Sequence, residues 1–294
     1  MKPQMQSPSE EVRSEKTNAP LQAAHGGGCA SCAVHSLSQL RRMGVDLGRC
    51  DFVVALAGNP NTGKSTIFNA LTGLRQHVGN WPGKTVGRME GGYRFGETAY
   101  KIVDLPGTYS LVSSSHHEEV ARDFILFAQP DVTVVVVDAT RVERNLILAL
   151  QVLEITDRVV VALNLMDEAR RHGIGVDVRA LQRDLGVPVV PMAARRGEGI
   201  RELLAAIDEV AHARFPASPP RVNHRDAQLE SAVEALVPQL EELFPGLPSA
   251  RWVAMRLLDG DHSIVDAIRN GTLGDIEGME PNVMPDLRRP SETN

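Results

Sequence analysis

The sequence has few cysteines, no long apolar run and no excess of basic residues, and each absence excludes a class of protein. Three cysteines in 294 residues do not form a disulfide framework, so a reducing compartment is the default. No stretch approaches the ~20 apolar residues that cross a bilayer, and the polar N-terminus lacks the apolar core of a signal peptide. The net charge of −6 provides no basic field for nucleic acid. We therefore expect a cytoplasmic protein without a nucleic-acid partner.

The most informative segment is a glycine-rich loop that follows an apolar run. Residues 52–57 predict a buried strand, and residues 58–65 read Gly-Asn-Pro-Asn-Thr-Gly-Lys-Ser, the spacing of a phosphate-binding P-loop. Its backbone N–H groups can surround a polyphosphate, Lys64 can reach the β- and γ-phosphates, and the Ser65 hydroxyl can ligate Mg²⁺. The residues of this loop that we expect to contact a nucleotide are Gly58, Asn59, Pro60, Asn61, Thr62, Gly63, Lys64, Ser65 and Thr66.

A second motif ends another short apolar strand. Residues 100–107 read Tyr-Lys-Ile-Val-Asp-Leu-Pro-Gly, which finishes in D-x-x-G. Asp104 at a strand end can hold Mg²⁺ through water, and the Gly107 N–H can meet a γ-phosphate. Thr108 follows in place of the glutamine that orients the attacking water in Ras-like enzymes, so we expect slow hydrolysis.

A third motif is suited to selecting a base. Residues 159–167 predict a buried strand that ends in N-x-x-D, from Asn164 to Asp167. The Asp167 carboxylate can accept two hydrogen bonds from guanine N1–H and N2–H₂, which adenine cannot supply. Three motifs in this order, each at a strand end, predict an enzyme that binds GTP and hydrolyses it to GDP and phosphate.

The chain divides into regions of different pattern. Between residues 51 and 214, strand-like runs alternate with predicted helices, which indicates an α/β fold: a P-loop GTPase with a central, mainly parallel sheet flanked by helices. A small all-helical domain is expected to follow. The predicted helices of the α/β region are 64–72, 118–127, 145–153, 178–185 and 200–213, the second opened by a Ser115/Glu118 capping box. The predicted parts are an N-terminal extension at 1–50, a G domain at 51–214, a helical regulatory domain at 215–272 and a tail at 273–294. Within the extension, residues 1–24 are predicted to be disordered, and residues 25–50 form a Gly/Cys/His segment with a candidate small helix around residues 36–43.

The motifs together resemble the translation-factor-related GTPases. The exact residues of the motifs point to a more specific family. Residues 58–73, the run Val-Gly-Asn-Trp-Pro-Gly-Lys-Thr-Val at 78–86 and the run Asp-Leu-Pro-Gly-Thr-Tyr-Ser-Leu at 104–111 resemble the cytosolic domain of the ferrous iron transport protein B family. Residues 251–261 resemble that family's helical regulatory domain, which acts like a dissociation inhibitor. The resemblance implies a domain at the inner face of the cell membrane that drives or gates ferrous iron uptake. The partner would be a membrane iron permease domain, in the same protein or in a separate chain, and a homo-oligomer stays open.

The resemblance also implies roles for individual residues. Thr85 matches the switch I threonine, which closes on Mg²⁺ when a γ-phosphate is present. Backbone groups around Gly83 and Lys84 would hold the attacking water. Asn61 matches a P-loop asparagine that helps to bind K⁺, and a cation there would supply the charge of an arginine finger, so hydrolysis is expected to be stimulated by K⁺.

At two places near the expected guanine site, this sequence differs from generic GTPases. Leu165 follows Asn164 where generic GTPases carry lysine, and leucine lacks the cation that would cover the base. We therefore expect modest affinity and rapid GDP release. The usual Ser-Ala-Lys loop is replaced by Met-Ala-Ala-Arg-Arg-Gly-Glu at 192–198, so the backbone N–H of either Ala193 or Ala194 is expected to meet guanine O6.

The N-terminal extension at 1–50 contains a group of candidate metal ligands. This group and the rest of the sequence leave two alternative functions open. His25, Cys29, Cys32 and His35 suit Zn²⁺ or Fe²⁺, although a glycine-rich segment without metal explains the same residues. A metal-sensing adaptor built on this cluster is therefore one alternative. A ribosome- or RNA-associated GTPase is the other, and it would carry a basic appendage where this chain has Glu241 and Glu242.

Overall fold

The structure, a computed structural model, is built on one seven-stranded sheet. It describes residues 40–41, 43–48, 50–73, 76–81, 86–112, 115–219 and 227–269. The strand order is β2-β3-β4-β1-β5-β6-β7. The strands are β1 (Phe52–Gly58), β2 (Gln76–Asn80), β3 (Gly87–Phe95), β4 (Thr98–Asp104), β5 (Val132–Asp138), β6 (Val159–Asn164) and β7 (Val189–Pro191). β1, β4, β5, β6 and β7 pair in parallel, whereas β2 and β3 are antiparallel to their neighbours. The predicted mainly parallel sheet is confirmed.

The central strands are apolar throughout because both faces of the sheet are covered. Every residue of β6 is buried, as are the first six residues of β5. Alternate residues of β1 enter two different cores, with Val53 and Ala55 on one side and Val54 and Leu56 on the other. The predicted arrangement of helices on both faces is therefore also present.

Helices flank the sheet and then continue as a separate unit. In chain order they are α1 (Lys64–Thr72), α2 (His116–Asp123), α3 (Val142–Ile155), α4 (Met166–Arg171), α5 (Val178–Leu185) and α6 (Ile200–Ala211), followed by α7 (Ala227–Leu243), α8 (Ala250–Leu258) and α9 (His262–Arg269). α1 and α6 cover one face, while α2 and α3 pack against the other. Within the described residues, no helix is long and apolar enough to cross a bilayer.

The helix predicted at 118–127 has a different form in the structure. α2 ends at Asp123, and the chain continues as a π-helical turn, Phe124–Ala128. The Ser115 N-cap of the predicted capping box is confirmed, because the Glu118 N–H donates to Ser115 Oγ (3.3 Å). The Glu118 carboxylate accepts from the Ser115 hydroxyl (2.6 Å). The wider turn leaves Leu126 fully buried among the helices of the following unit. Such a turn depends on what the helix packs against, which residue spacing alone does not reveal.

The helical unit packs on this same turn. Trp252 and Val253 of α8 share an apolar cluster with Leu126, and the Arg122 guanidinium of α2 donates to Ser263 Oγ of α9 (2.7 Å). The unit therefore contacts α2 and the π-helical turn, which come after the D-x-x-G motif in the chain.

Candidate nucleotide-binding site

The P-loop lies between β1 and α1 and requires glycine at two positions. Gly63 has φ +86°, and a Cβ placed on it would lie 2.3 Å from Asn164 Nδ2. A Cβ on Gly58 would lie 2.9 Å from the Val136 carbonyl oxygen. Both distances are shorter than a real Cβ contact, so the G-x-x-x-x-G spacing follows from the packing of the loop against β5 and β6.

Asn164 ties the P-loop to the loop after β7. Its Nδ2 donates to the Thr62 carbonyl oxygen (2.9 Å), and its Oδ1 accepts from the Ala194 N–H (3.0 Å). The side chain is 1% exposed, so both hydrogen bonds are shielded from water. Asn164 therefore fixes the relative position of two loops that meet a nucleotide in proteins with these motifs.

Lys64 lies against the second motif. Its Nζ donates to Asp104 Oδ1 and to the Leu105 carbonyl oxygen (2.7 Å). Burial raises the pKa of Asp104 above its ordinary value, and the Lys64 ammonium opposes that shift. Parallel pairing of Leu56 with Asp104 places the ends of β1 and β4 at the same edge of the sheet.

Gly107 and Thr108 continue across the P-loop. A Cβ on Gly107 would lie 3.5 Å from Pro60, and the Thr108 N–H donates to the Gly58 carbonyl oxygen (3.2 Å). Ser65, Thr66 and Asn61 are exposed beside this contact. The structure thus brings the first two predicted motifs together and leaves polar P-loop groups accessible.

The predicted base-selecting end lies at the same edge of the sheet. The side chain of Asp167 is 15% exposed, and its carboxylate pairs with Arg196 Nε (3.2 Å). Arg196 belongs to a short 3₁₀ turn, Ala194–Arg196, and was not among the predicted site residues. Leu165 has φ +63°, which places Asp167 in the first turn of α4. The sequence has two neighbouring arginines in the 192–198 loop, Arg195 and Arg196, and it did not indicate which of them would reach Asp167.

The two amides predicted to meet guanine O6 both donate within the chain. The Ala193 N–H donates to the Glu198 carbonyl oxygen (3.1 Å), and the Ala194 N–H donates to Asn164 Oδ1. Contact with O6 would need one of these hydrogen bonds to be shared or replaced. The choice between Ala193 and Ala194 stays open.

A polar cavity of about 420 Å³ adjoins the outer side of the P-loop. Two buried oxygens beside it, Asn59 Oδ1 and Asn145 Oδ1, find no hydrogen-bond partner among the described residues. Oxygen atoms of this kind accept from water or coordinate a hard cation. Apart from the P-loop, the cavity is lined by Tyr109 and Leu165, which lie in the sequence motifs, and by residues that the motifs did not identify: Asp138, Thr140, Arg141, Arg144, Asn145, Glu168 and His172.

Several predicted site residues lie outside the described residues. These are Gly83, Lys84 and Thr85 of the predicted switch I, and His25, Cys29, Cys32 and His35 of the possible metal cluster. Where the structure does describe the chain, no three His, Cys, Asp or Glu side chains are grouped to hold a metal.

The donor set nevertheless fits a nucleotide with Mg²⁺. This ion is commonly bound through one or two carboxylates together with substrate phosphates, rather than by a cage of protein ligands. Asp104 supplies a buried carboxylate, Ser65 an exposed hydroxyl, and Lys64 a cation for the phosphates. The loop, the strand order and the three motifs define a P-loop G domain.

Comparison with known protein families identifies the family of this G domain. The model of the family described as "Ferrous iron transport protein B" matches residues 52–207, and that of the "FeoB cytosolic helical domain" matches residues 226–283. The chain belongs to the ferrous iron transport protein B family.

Relatives of known sequence agree with that membership. The chain is 40% identical over 218 residues to the Fe(2+) transporter FeoB of Escherichia coli (strain K12), and 42% identical over 213 residues to that of Salmonella typhimurium. Each match covers 71% of this chain but 27% of the relative. The chain therefore spans about a quarter of the length of the curated relatives it matches.

Solved structures give the same result for the fold. The cytosolic domain of T. maritima FeoB in a GDP form has a TM-score of 0.69 at 36% identity, with 78% of this chain and 89% of that chain covered. Its GMPPNP form has a TM-score of 0.68 at 36% identity, with coverage of 78% and 88%. The cytosolic domain of L. pneumophila FeoB has a TM-score of 0.68 at 34% identity, with coverage of 76% and 92%.

The packing of Gly63 against Asn164 gives a stability prediction. Gly63→Ala should lower the free energy of unfolding by about 1–3 kcal/mol, because the methyl group meets the Asn164 amide and the backbone is left-handed. Urea unfolding followed by circular dichroism measures the change. Gly197→Ala is the matched control, since Gly197 is also left-handed (φ +74°, ψ +4°, against +86° and +18° for Gly63) but a Cβ there meets nothing within 4 Å. Equal losses in the two variants would contradict the packing argument.

Proposed function

We propose that this chain binds GTP with Mg²⁺, hydrolyses it to GDP and phosphate, and uses that cycle to drive or gate ferrous iron uptake. The observation that carries the proposal is the convergence of three motifs at one sheet edge, with Asn164 joining the P-loop to the 193–194 loop. The GDP and GMPPNP forms of the T. maritima relative support a guanine nucleotide as the ligand.

Binding of the phosphates would require Lys64 to exchange its present hydrogen-bond partners for phosphate oxygens. Lys64 already lies at the phosphate side of the loop, held by Asp104 and the Leu105 carbonyl oxygen. A triphosphate would take over this ammonium, which frees the Asp104 carboxylate to hold Mg²⁺ through water beside Ser65. Mg²⁺, when bound, neutralises charge on the β- and γ-phosphate oxygens. Asp104 thus serves as the counter-ion of Lys64 in one state and as part of the metal site in the other.

The remaining roles at the γ-phosphate come from the resemblance. The Gly107 N–H would meet the γ-phosphate, and Thr85 would close on the same side with its hydroxyl on Mg²⁺. Thr108 stands where Ras-like enzymes have the glutamine that orients the attacking water, so backbone groups at Gly83 and Lys84 would orient it instead. Hydrolysis without a side chain dedicated to the water should be slow.

A monovalent cation would then supply the missing positive charge. Asn61 is exposed at the tip of the P-loop, with φ +66°, and it borders the polar cavity. Asn61 would hold K⁺ there, and the charge of the ion would stabilise the negative charge that develops during hydrolysis.

The cation proposal predicts a difference between salts. Hydrolysis by the full chain should be faster in KCl than in NaCl of equal concentration by about tenfold or more, because K⁺ acts on the transition state. Asn61→Ala should remove this difference while GDP binding stays within about twofold. Phosphate release at saturating GTP measures both. Equal rates in the two salts, or a K⁺ effect that survives in Asn61→Ala, would count against the proposal.

Recognition of the base would depend on Asp167. Its carboxylate can accept from guanine N1–H and N2–H₂, and its partner Arg196 is exposed enough to move across the base. Leu165 provides no cation at the neighbouring position, so GDP should leave rapidly. The inner wall of this end is formed by Ala193 and Ala194.

The base proposal is tested by changing the pattern of donors and acceptors. Asp167→Asn should weaken GDP binding by about 100-fold or more, because the amide presents a donor where guanine also donates. Xanthosine diphosphate, which has an acceptor at that position, should then bind more tightly than GDP. Calorimetric titration measures the two affinities, with Asp184→Asn as a surface control. If ATP competed as well as GTP in the wild-type chain, guanine selection and the proposed function would both fail.

The domain arrangement is proposed on the same basis. The G domain would extend over 51–214, the helical regulatory domain over 215–272, and 273–294 would be a tail. The contacts of Arg122 and Leu126 with the helical unit would relay the state of the switch that begins at the D-x-x-G motif. Membership of the iron-transport family favours this reading over an RNA-associated GTPase. The partner would be a membrane iron permease domain, so the chain would work at the inner face of the cell membrane.

A further inference from the structure

A segment that precedes the family's G domain is built into the core of this one. Residues 40–48 lie before residue 52, where the family model begins. Leu40 and Val45 are 2% and 3% exposed, and they share one apolar cluster with Trp81 and Val86. The Val45 N–H donates to the Leu40 carbonyl oxygen (3.0 Å), which closes a turn around Gly44. The segment is therefore a folded addition to the G domain.

Arg88 of β3 holds this segment through its guanidinium group. Its Nη1 donates to the Met43 carbonyl oxygen (2.7 Å), and its Nη2 donates to that of Gly44. Its Nε pairs with Glu90 Oε1 (2.7 Å). Arg88 is 8% exposed, so these carbonyl oxygens replace the water that the guanidinium would otherwise require.

Glu90 completes the arrangement beneath the sheet. It is 1% exposed, and it accepts from Lys101 Nζ (2.8 Å) and from the Asp46 N–H (3.3 Å). The Glu90 carboxylate therefore contacts Arg88 of β3, Lys101 of the neighbouring strand β4, and Asp46 of the N-terminal segment. We call the described residues 40–41 and 43–46, together with Arg88 and Glu90, the Arg88 clamp.

The clamp acts on the two residues that flank the predicted switch I threonine. Trp81 and Val86 are joined by a hydrogen bond from the Trp81 N–H to the Val86 carbonyl oxygen (2.9 Å), and residues 82–85 connect them in the sequence. The Arg88 guanidinium lies 5.5 Å from the centre of the Trp81 ring. The same ring makes an edge-to-face contact with Phe124, at 5.4 Å between centroids. Trp81 therefore contacts both the clamp and the π-helical turn.

From these contacts we propose that Arg88 is a positioning residue for GTP hydrolysis, held in place by residues 43–46. The clamp contacts Trp81, which is hydrogen-bonded to Val86, and it thereby fixes the two described residues between which Thr85 lies in the sequence. The inference deepens the proposed function and rests on it. It also gives the N-terminal extension a physical connection to the nucleotide site, which a G domain that begins at residue 52 does not have.

Two variants break the clamp in different ways. Arg88→Met keeps the length of the side chain and loses every donor. Gly44→Ala leaves Arg88 unchanged, but its Cβ would lie 2.4 Å from Arg88 Nη1. Arg94→Met is the control for the first variant, because Arg94 is on the same strand and bonds the Glu97 carbonyl oxygen in the hairpin turn. Gly48→Ala is the control for the second, because Gly48 also has positive φ but meets nothing within 4 Å.

The variants are compared by hydrolysis, GDP binding and tryptophan accessibility. Both clamp variants should lower kcat by about tenfold or more, while GDP affinity stays within about twofold, because GDP lacks the γ-phosphate that the switch contacts. Trp81 is one of two tryptophans, so in a Trp252→Phe background its quenching by acrylamide can be followed alone. Quenching should rise in both clamp variants and stay unchanged in the two controls.

Each other outcome contradicts the proposal. If the clamp variants lose thermal stability but keep kcat, or if quenching rises while kcat is unchanged, the clamp is only structural. If they match Arg94→Met and Gly48→Ala in every measurement, no clamp exists. If Arg88→Met does not fold, Gly44→Ala decides. If the wild-type chain hydrolyses no GTP, it is the proposed function that fails, and Trp81 quenching then decides whether the clamp holds.

Discussion

The site depends on one buried amide that hydrogen-bonds in two directions. Asn164 stands at the end of β6, where it reaches the Thr62 carbonyl oxygen on one side and the Ala194 N–H on the other. A buried amide with both ends satisfied has one low-energy orientation, so the two loops cannot shift independently without leaving a polar group unpaired. The glycine at position 63 follows from this, because no Cβ fits against the amide. The N-x-x-D motif therefore fixes the position of the P-loop as well as carrying Asp167.

Two further contacts join the site to parts of the chain that a bare G domain lacks. The helical unit meets the segment after the D-x-x-G motif through Leu126 and through the Arg122–Ser263 hydrogen bond. The N-terminal segment meets the other side through Arg88 and Trp81. Trp81 contacts Phe124 of the π-helical turn, and Leu126 of the same turn packs in the apolar cluster of the helical unit. The π-helical turn therefore contacts both sides of this arrangement.

The parts predicted from sequence are those fixed by local pattern. Apolar runs identified β1, β4 and β6, and the motifs that follow them were placed at one sheet edge because parallel strands end together. Strand β2 was missed because it is an exposed edge strand without an apolar alternation. The Asp167–Arg196 pair, the π-helical turn and the docking of residues 40–48 were missed for a different reason. Each depends on contacts between residues far apart in the chain, and no spacing rule encodes those contacts.

The direct test of this account is a calorimetric titration of Asn164→Ala with GDP, beside the wild-type chain and the exposed α1 control Asn69→Ala. Loss of two buried hydrogen bonds, at about 1–1.5 kcal/mol each, predicts that GDP binds about 100-fold more weakly to Asn164→Ala, while the circular dichroism of the sheet is kept. Asn69→Ala should bind GDP like the wild type. Wild-type affinity in Asn164→Ala would contradict the claim that this amide holds the nucleotide site together.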